Sequence, residues 1–159
     1  MGLVKKIIKS IGLTFASLAI FHSCYKEGIK KVIKDCSENS QKIKTTEQLE
    51  ERVKDIRKDL NVGKETNIYA EFHEGYNNAS ILSRPYIDSQ GFIRVEEGYL
   101  IQLNKEKANE CSLKHEMDHI VNKHLIGKLK IKNPLIKELV YWYRYEPQAV
   151  AYGAFNLKL

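Results

Sequence analysis

The three cysteines, Cys24, Cys36 and Cys111, form no CxxC pair, which excludes a zinc ribbon and a thioredoxin-type redox motif. Neither GxGxxG nor GxxxxGK(S/T) occurs, so the usual backbone cradles for nucleotide phosphates are missing and no nucleotide partner is expected. No internal repeat or low-complexity tract is present. The apolar run IGLTFASLAIF reaches only eleven residues, too short for a free-standing transmembrane helix of about 20. Acidic residues are scarce at one end: residues 1–44 hold nine lysines against Glu27, Asp35 and Glu38, and so carry the whole +6 of the chain. A nucleic-acid binder places its basic surplus on the folded body, and here the body is neutral. No nucleic-acid partner is expected.

What is present at the N-terminus has the layout of an export signal, with Lys5, Lys6 and Lys9 ahead of the apolar run. Residues 1–24 are read as a signal or membrane anchor, 25–44 as a helix and linker, and 45–159 as the main domain. The cleavage pattern before Cys24 is poor, with Phe21 and Ser23 at the positions that want small residues. FHSC fits a lipoprotein signal only in part, and the remaining form is a retained anchor or an amphipathic helix lying on a membrane. The expectation is a secreted or membrane-associated protein facing the extracytoplasmic side, with a cytoplasmic protein as the alternative. Three separate thiols are the simplest expectation for the cysteines. A Cys36–Cys111 pair requires an oxidising compartment.

Along the rest of the chain, Thr45 and Gln48 have capping-box spacing, and Leu49, Val53, Ile56 and Leu60 recur at helical intervals, giving a helix over about 45–61. NIYAEF, ASILS, GFIRVEE and YLIQLN are short β-branched or aromatic segments between turn formers, read as three or four antiparallel strands. Helical period returns in NKEKANECSLKHEMDHIVNKHL, with Leu113, Met117, Ile120 and Val121 on one face. Asn133-Pro134 starts another helix. Pro147 is expected to end or break it before a last short helix, PQAVAYGAFNL.

His115, Glu116 and His119 form HExxH on the helix assigned from periodicity. Histidines four apart share a face and can reach one ion, while the glutamate beside them can address water. Composition alone yields this pattern about 0.01 times in such a chain. A catalytic zinc takes three protein ligands and keeps a fourth position for water. His124 is one turn further along, five residues after His119 where the long metzincin pattern has six with a glycine between, and on a continuing helix it points away, so it is read as a surface histidine. Glu146 in RYEPQAVAYGAF, 27 residues past His119, is the better third ligand.

With HExxH followed by Glu146 and Ala149 in ExxA register, residues 90–156 resemble the gluzincin metallopeptidases. The likeness is greatest to the small minigluzincins and the related membrane-protease and phage-repressor-cleaving families. The resemblance implies an α+β zincin-like fold: a small antiparallel sheet packed on the HExxH helix, a C-terminal glutamate helix, and N-terminal helices ahead of them. It also implies Zn2+ held by His115, His119 and Glu146, Glu116 as general base, and a peptide or protein substrate lying along YLIQLN. The tyrosines of YWYRY could supply an oxyanion donor, without a choice among them, although helical spacing favours packing roles for Tyr141, Trp142 and Tyr145. Val150 stands where the family has an acidic or amide residue, so the group that orients a zinc-binding histidine is missing or comes from elsewhere. That departure motivates the alternative, an inactive zincin-fold protein that binds metal or a partner at the membrane. Another reading is a basic membrane binder whose histidine helix is incidental.

HEMDH with EEGYL also resembles the motifs of peptide deformylases, a lesser alternative. Tyr99 falls where that family needs a cysteine ligand, the sixteen residues to His115 are too few, and the glycine-rich first motif is absent. His73-Glu74 begins an HExxH without its second histidine and is read as a turn at a strand end. Asn78 and Ser80 fit a glycosylation sequon.

Overall fold

The computed structural model describes residues 2–63, 66–75, 79–81, 86–94 and 98–158, with side chains from residue 17 onward in those ranges except at 18, 86, 87, 93 and 94. Asn78 of the sequon and Glu96 of EEGYL lie outside the described residues.

The first helix, α1 (Gly2–Asn39), runs without a break through the apolar run and the lysine-rich stretch after it. Among the described residues no helix is long and apolar enough to cross a membrane. The segment after α1 is pinned to the body: Ile43 N–H donates to Ala108 C=O and Glu110 N–H to Gln41 C=O, both at 3.0 Å. Ile43 itself is buried in the core.

Helix α2 (Thr46–Asp59) begins as its capping spacing predicts. Thr45 Oγ1 accepts from Gln48 N–H at 3.3 Å, and Gln48 Oε1 accepts in return from Lys44 N–H at 2.9 Å, one residue before the usual position. Leu49, Val53 and Ile56, at helical spacing, are its buried face.

The strands are β1 (Ile68–His73), β2 (Ala79–Ile81), β3 (Tyr86–Ile87), β4 (Ile93–Arg94) and β5 (Tyr99–Asn104). Three make one sheet in the order β1-β5-β2, and β3 and β4 pair antiparallel in a separate two-stranded ribbon. The fold class is α+β, but the expected antiparallel sheet is mixed: β1 and β5 run parallel, Ile68 opposite Tyr99 through His73 opposite Asn104. A parallel pair needs a long connection to return the chain to the same end, and β2, β3 and β4 lie in it. Only β2 against β5 is antiparallel within this sheet, with Ile81 opposite Ile101.

Helix α3 (Glu110–Val121) packs on this sheet. Asn109 caps it, accepting from Ser112 N–H at 2.9 Å while its amide donates to Ser37 Oγ on α1 at 2.7 Å. Leu113, Met117 and Ile120 share the core with Ile101 and Leu103 of β5, and the pattern of four and three leaves His115 and His119 on another face. Cys111 in the first turn is disulfide-bonded to Cys36 of α1, with Cα atoms 6.1 Å apart, an ordinary bridging distance. The expectation of separate thiols fails because Ser37, Ser40 and Cys36 all lie against the start of α3.

Beyond α3 come α4 (His124–Lys130) and α5 (Pro134–Val140), the latter capped by Asn133 with Pro134 in its first turn. Pro147 does not break the chain into separate helices. A π-helical turn, Tyr141–Tyr145, leads directly into α6 (Glu146–Phe155), with Glu146 N–H bonded to Tyr141 C=O five residues back. In a regular helix Pro147 would clash with the Tyr143 carbonyl and leave it unpaired, and the wider turn relieves this upstream of the proline.

Candidate metal centre

Three side chains converge where α3 and α6 lie side by side. The approach is close because Gly153 of α6 has no side chain: a Cβ there would sit 3.1 Å from the Cys111 carbonyl oxygen and 3.4 Å from His115 Cβ. Running antiparallel from that contact, α6 brings Glu146 opposite the two histidines. His115 Nε2 lies 3.5 Å from one Glu146 oxygen, and His119 Nε2 lies 3.5 Å from the other. One donor atom from each of His115, His119 and Glu146 fits within 4.8 Å of the others, so the trio could hold a metal ion. Zinc bonds of about 2.0–2.2 Å in a tetrahedron separate neighbouring ligand atoms by about 3.3–3.6 Å. The two 3.5 Å separations, one to each carboxylate oxygen, are of that size, and the donor set of two imidazoles and one carboxylate suits zinc.

Protonation at the site already matches what ligation needs. Burial, and then the charge of His119, hold His115 down to about 4, which keeps the imidazole neutral near pH 7. Burial works to raise Glu146, but hydrogen bonding from His119, the charge of His115 and hydrogen bonding from Tyr141 prevail and hold it at about 2. Glu146 is 4% exposed and therefore a buried carboxylate, not a surface or capping one.

His124 corrects the sequence reading. The helix does not continue into it: α3 ends at Asn122, Lys123 takes left-handed backbone at φ 56°, and α4 begins at His124. That reversal swings the imidazole back under the site, where it is 3% exposed. His124 Nδ1 is 2.9 Å from His119 Nδ1, and His124 Nε2 is 3.0 Å from Gln148 Oε1. Since an amide oxygen only accepts, His124 carries its proton on Nε2 and accepts at Nδ1 from His119 Nδ1–H. That favours the form of His119 a metal needs, with its lone pair on Nε2; without a metal the same nitrogen is the one hydrogen-bonded to Glu146. Tyr145 stacks on the His124 ring at 4.5 Å and fixes its plane. Val150 is a buried core residue, and the polar contact to the back of His119 comes from His124, itself bonded to Gln148.

These groups open on a cleft of about 550 Å³, lined among others by Glu116, Tyr141, Lys128, Ser80 and Ile81. Glu116 is half-buried on the cleft wall, beside the histidines but outside the ligand trio. Of the aromatic run, Tyr141 and Trp142 line the cleft, and Tyr141 lies against His119. Its ring lies 6.2 Å from that of His119 at 17°, and burial together with the charge of Glu146 raises its hydroxyl well above the ordinary tyrosine range. The strand bordering the cleft is β2, not YLIQLN, because β5 is the central strand with β1 and β2 on its two sides. Tyr99 is buried in the core and does not line the cleft. His73 is at the last position of β1, its Nε2 buried without a hydrogen-bond partner. Comparison with protein-family models, with curated proteins and with solved structures finds no match to this chain.

Proposed function

We propose that this chain is a zinc-dependent metallopeptidase of zincin type. The single observation that carries the reading is the approach of Glu146 to both HExxH histidines, 3.5 Å from each Nε2. Bound by His115, His119 and Glu146, zinc supplies Lewis acidity that makes water a better acid and a carbonyl a better electrophile. Glu116, on the cleft wall, takes the proton from the attacking water and returns it to the leaving amine. Tyr141 keeps its proton across the whole neutral range and offers its hydroxyl to the developing oxyanion. The substrate is a polypeptide entering the cleft beside β2.

The His124–Gln148 pair, at the back of His119 where Val150 offers no polar group, supports the enzyme reading over the inactive-regulator alternative. The disulfide between Cys36 and Cys111 supports placement in an oxidising, extracytoplasmic compartment.

The test measures zinc stoichiometry and cleavage of a peptide pool for the wild type, Glu116→Gln and Glu146→Ala. One tightly bound zinc is expected, with cleavage abolished in Glu116→Gln at unchanged zinc content. A zinc-loaded wild type that cuts no more than Glu116→Gln sinks the enzyme reading. Full zinc affinity in Glu146→Ala sinks the three-ligand site.

A further inference from the structure

Helix α5 buries none of its residues, although its sequence is PLIKELV. Leu135 is 74% exposed, Ile136 51% and Leu139 50%, in a helix whose only charged residues are Lys137 and Glu138. Leu135 and Leu139 are one helical turn apart, and Tyr143, four residues on and 38% exposed, extends the patch. The patch continues onto α1 through stacked rings: Tyr143 on Tyr25 at 4.7 Å, and Tyr25 beside Phe21 at 6.4 Å. Phe21 and Ile20 are 61% and 65% exposed. A polar clasp holds the two helices in this relation, with His22 Nδ1 3.0 Å from the Tyr143 hydroxyl and Lys26 Nζ donating to Glu138 at 3.0 Å. Contiguous exposed apolar side chains of this kind mark a binding surface.

We propose that α5 and the adjoining part of α1 form a docking surface for an anionic lipid bilayer. Charge selects the bilayer over another protein. Exposed Lys130 and Lys132 directly precede α5, Lys5, Lys6 and Lys9 begin α1, and residues 1–44 carry the entire +6 of the chain. Apolar side chains bordered by lysines match acyl chains beneath acidic headgroups. The apolar run of α1 is too short to span but long enough to lie in the interface, and α5 adds a second contact held to it by the clasp. Because Lys137, Tyr141 and Trp142 line the cleft, the docked surface adjoins the cleft rim. The inference does not depend on the peptidase reading.

The test uses the full chain and co-sedimentation with vesicles of phosphatidylcholine, alone or with phosphatidylglycerol. Wild type is compared with Leu135→Ser/Ile136→Ser/Leu139→Ser and with Lys130→Glu/Lys132→Glu. The expected result is binding that requires phosphatidylglycerol and weakens on the order of tenfold in each variant. Amide exchange at 134–143 in the wild type is expected to slow when these vesicles are added. Equal binding by the wild type and the folded triple-serine variant overturns the proposal, leaving α1 alone as anchor. Unchanged exchange at 134–143 also overturns it, and decides the matter if that variant fails to fold. A lipid-free dimer abolished by the serine substitutions overturns it in favour of self-association.

Discussion

His124 Nδ1 lies 2.9 Å from His119 Nδ1 and hands the hydrogen-bond chain on to Gln148 Oε1 at 3.0 Å. The direction of that chain decides which nitrogen of His119 is free to bind a metal. Replacing His124 by Ala should lower zinc affinity about 10- to 100-fold, the usual effect of losing a group that orients a ligating histidine. Gln148 gives the sharper test, because only its oxygen supports the required tautomer. Gln148→Glu should keep zinc affinity and Gln148→Lys should lose it, as read by competition with a chelator. A higher affinity in Gln148→Lys than in Gln148→Glu would reverse the assigned direction of the chain, and equal affinities would show that it does not control zinc binding.

Tyr141 is distinguished from the other tyrosines of the run by lining the cleft against His119, with its pKa raised by burial and the charge of Glu146. Tyr141→Phe should lower kcat about 10- to 100-fold, the scale of a lost oxyanion donor, with KM nearly unchanged; because Tyr141 also hydrogen-bonds Glu146, the comparison is made at full zinc occupancy. Tyr143→Phe, on the surface opposite Tyr25, should leave kcat as it is. A rise in KM alone for Tyr141→Phe, with kcat kept, would point to packing.

The metal-free protein should lose stability on acidification. His115 and His124 are each lowered to about 4 from 6.5, in both cases first by burial, so the unfolded chain binds more protons between those values. Stability is fully present above about pH 6.5 and falls as pH drops toward 4. Glu146, lowered from 4.5 to about 2, extends the loss downward with the same sign, since its contribution is present above 4.5 and disappears as pH falls through 2. Urea unfolding of metal-free protein across pH 3–8 checks this. A midpoint that rises on acidification from pH 6.5 to 4 would contradict it.

Much of this site was readable because its signals are local. HExxH needs only the helical repeat to bring His115 and His119 together, and the caps at Thr45 and Asn133 act within three residues of their positions. Glu146 was reached through its ExxA context. What escaped was non-local or unusual in backbone. The parallel pairing of β1 with β5 depends on a long connection and leaves no mark in either strand. His124 was misread because α3 ends on a left-handed lysine, where glycine would have announced the stop. Pro147 hinted at a disturbance, but neither its nature as a π turn nor its effect on Glu146 could be read from the proline alone.

The disulfide yields the last prediction. Cys36 and Cys111 are 75 residues apart in sequence, and closing a loop of that size removes about 4 kcal/mol of unfolded-state entropy in the chain-entropy model. The link also joins α1 to the first turn of α3, one turn before His115, so its loss should loosen the support of the metal site as well as the fold. Native protein should therefore expose one reactive thiol, Cys24, which is exposed and unpaired. Reduction should release two more thiols, lower Tm and weaken zinc binding. Cys36→Ser/Cys111→Ser should reproduce both effects without reductant, whereas Cys24→Ser should reproduce neither. Three thiols titrating in the native, non-reduced protein would show the link to be absent, and with it the support it lends to an oxidising compartment.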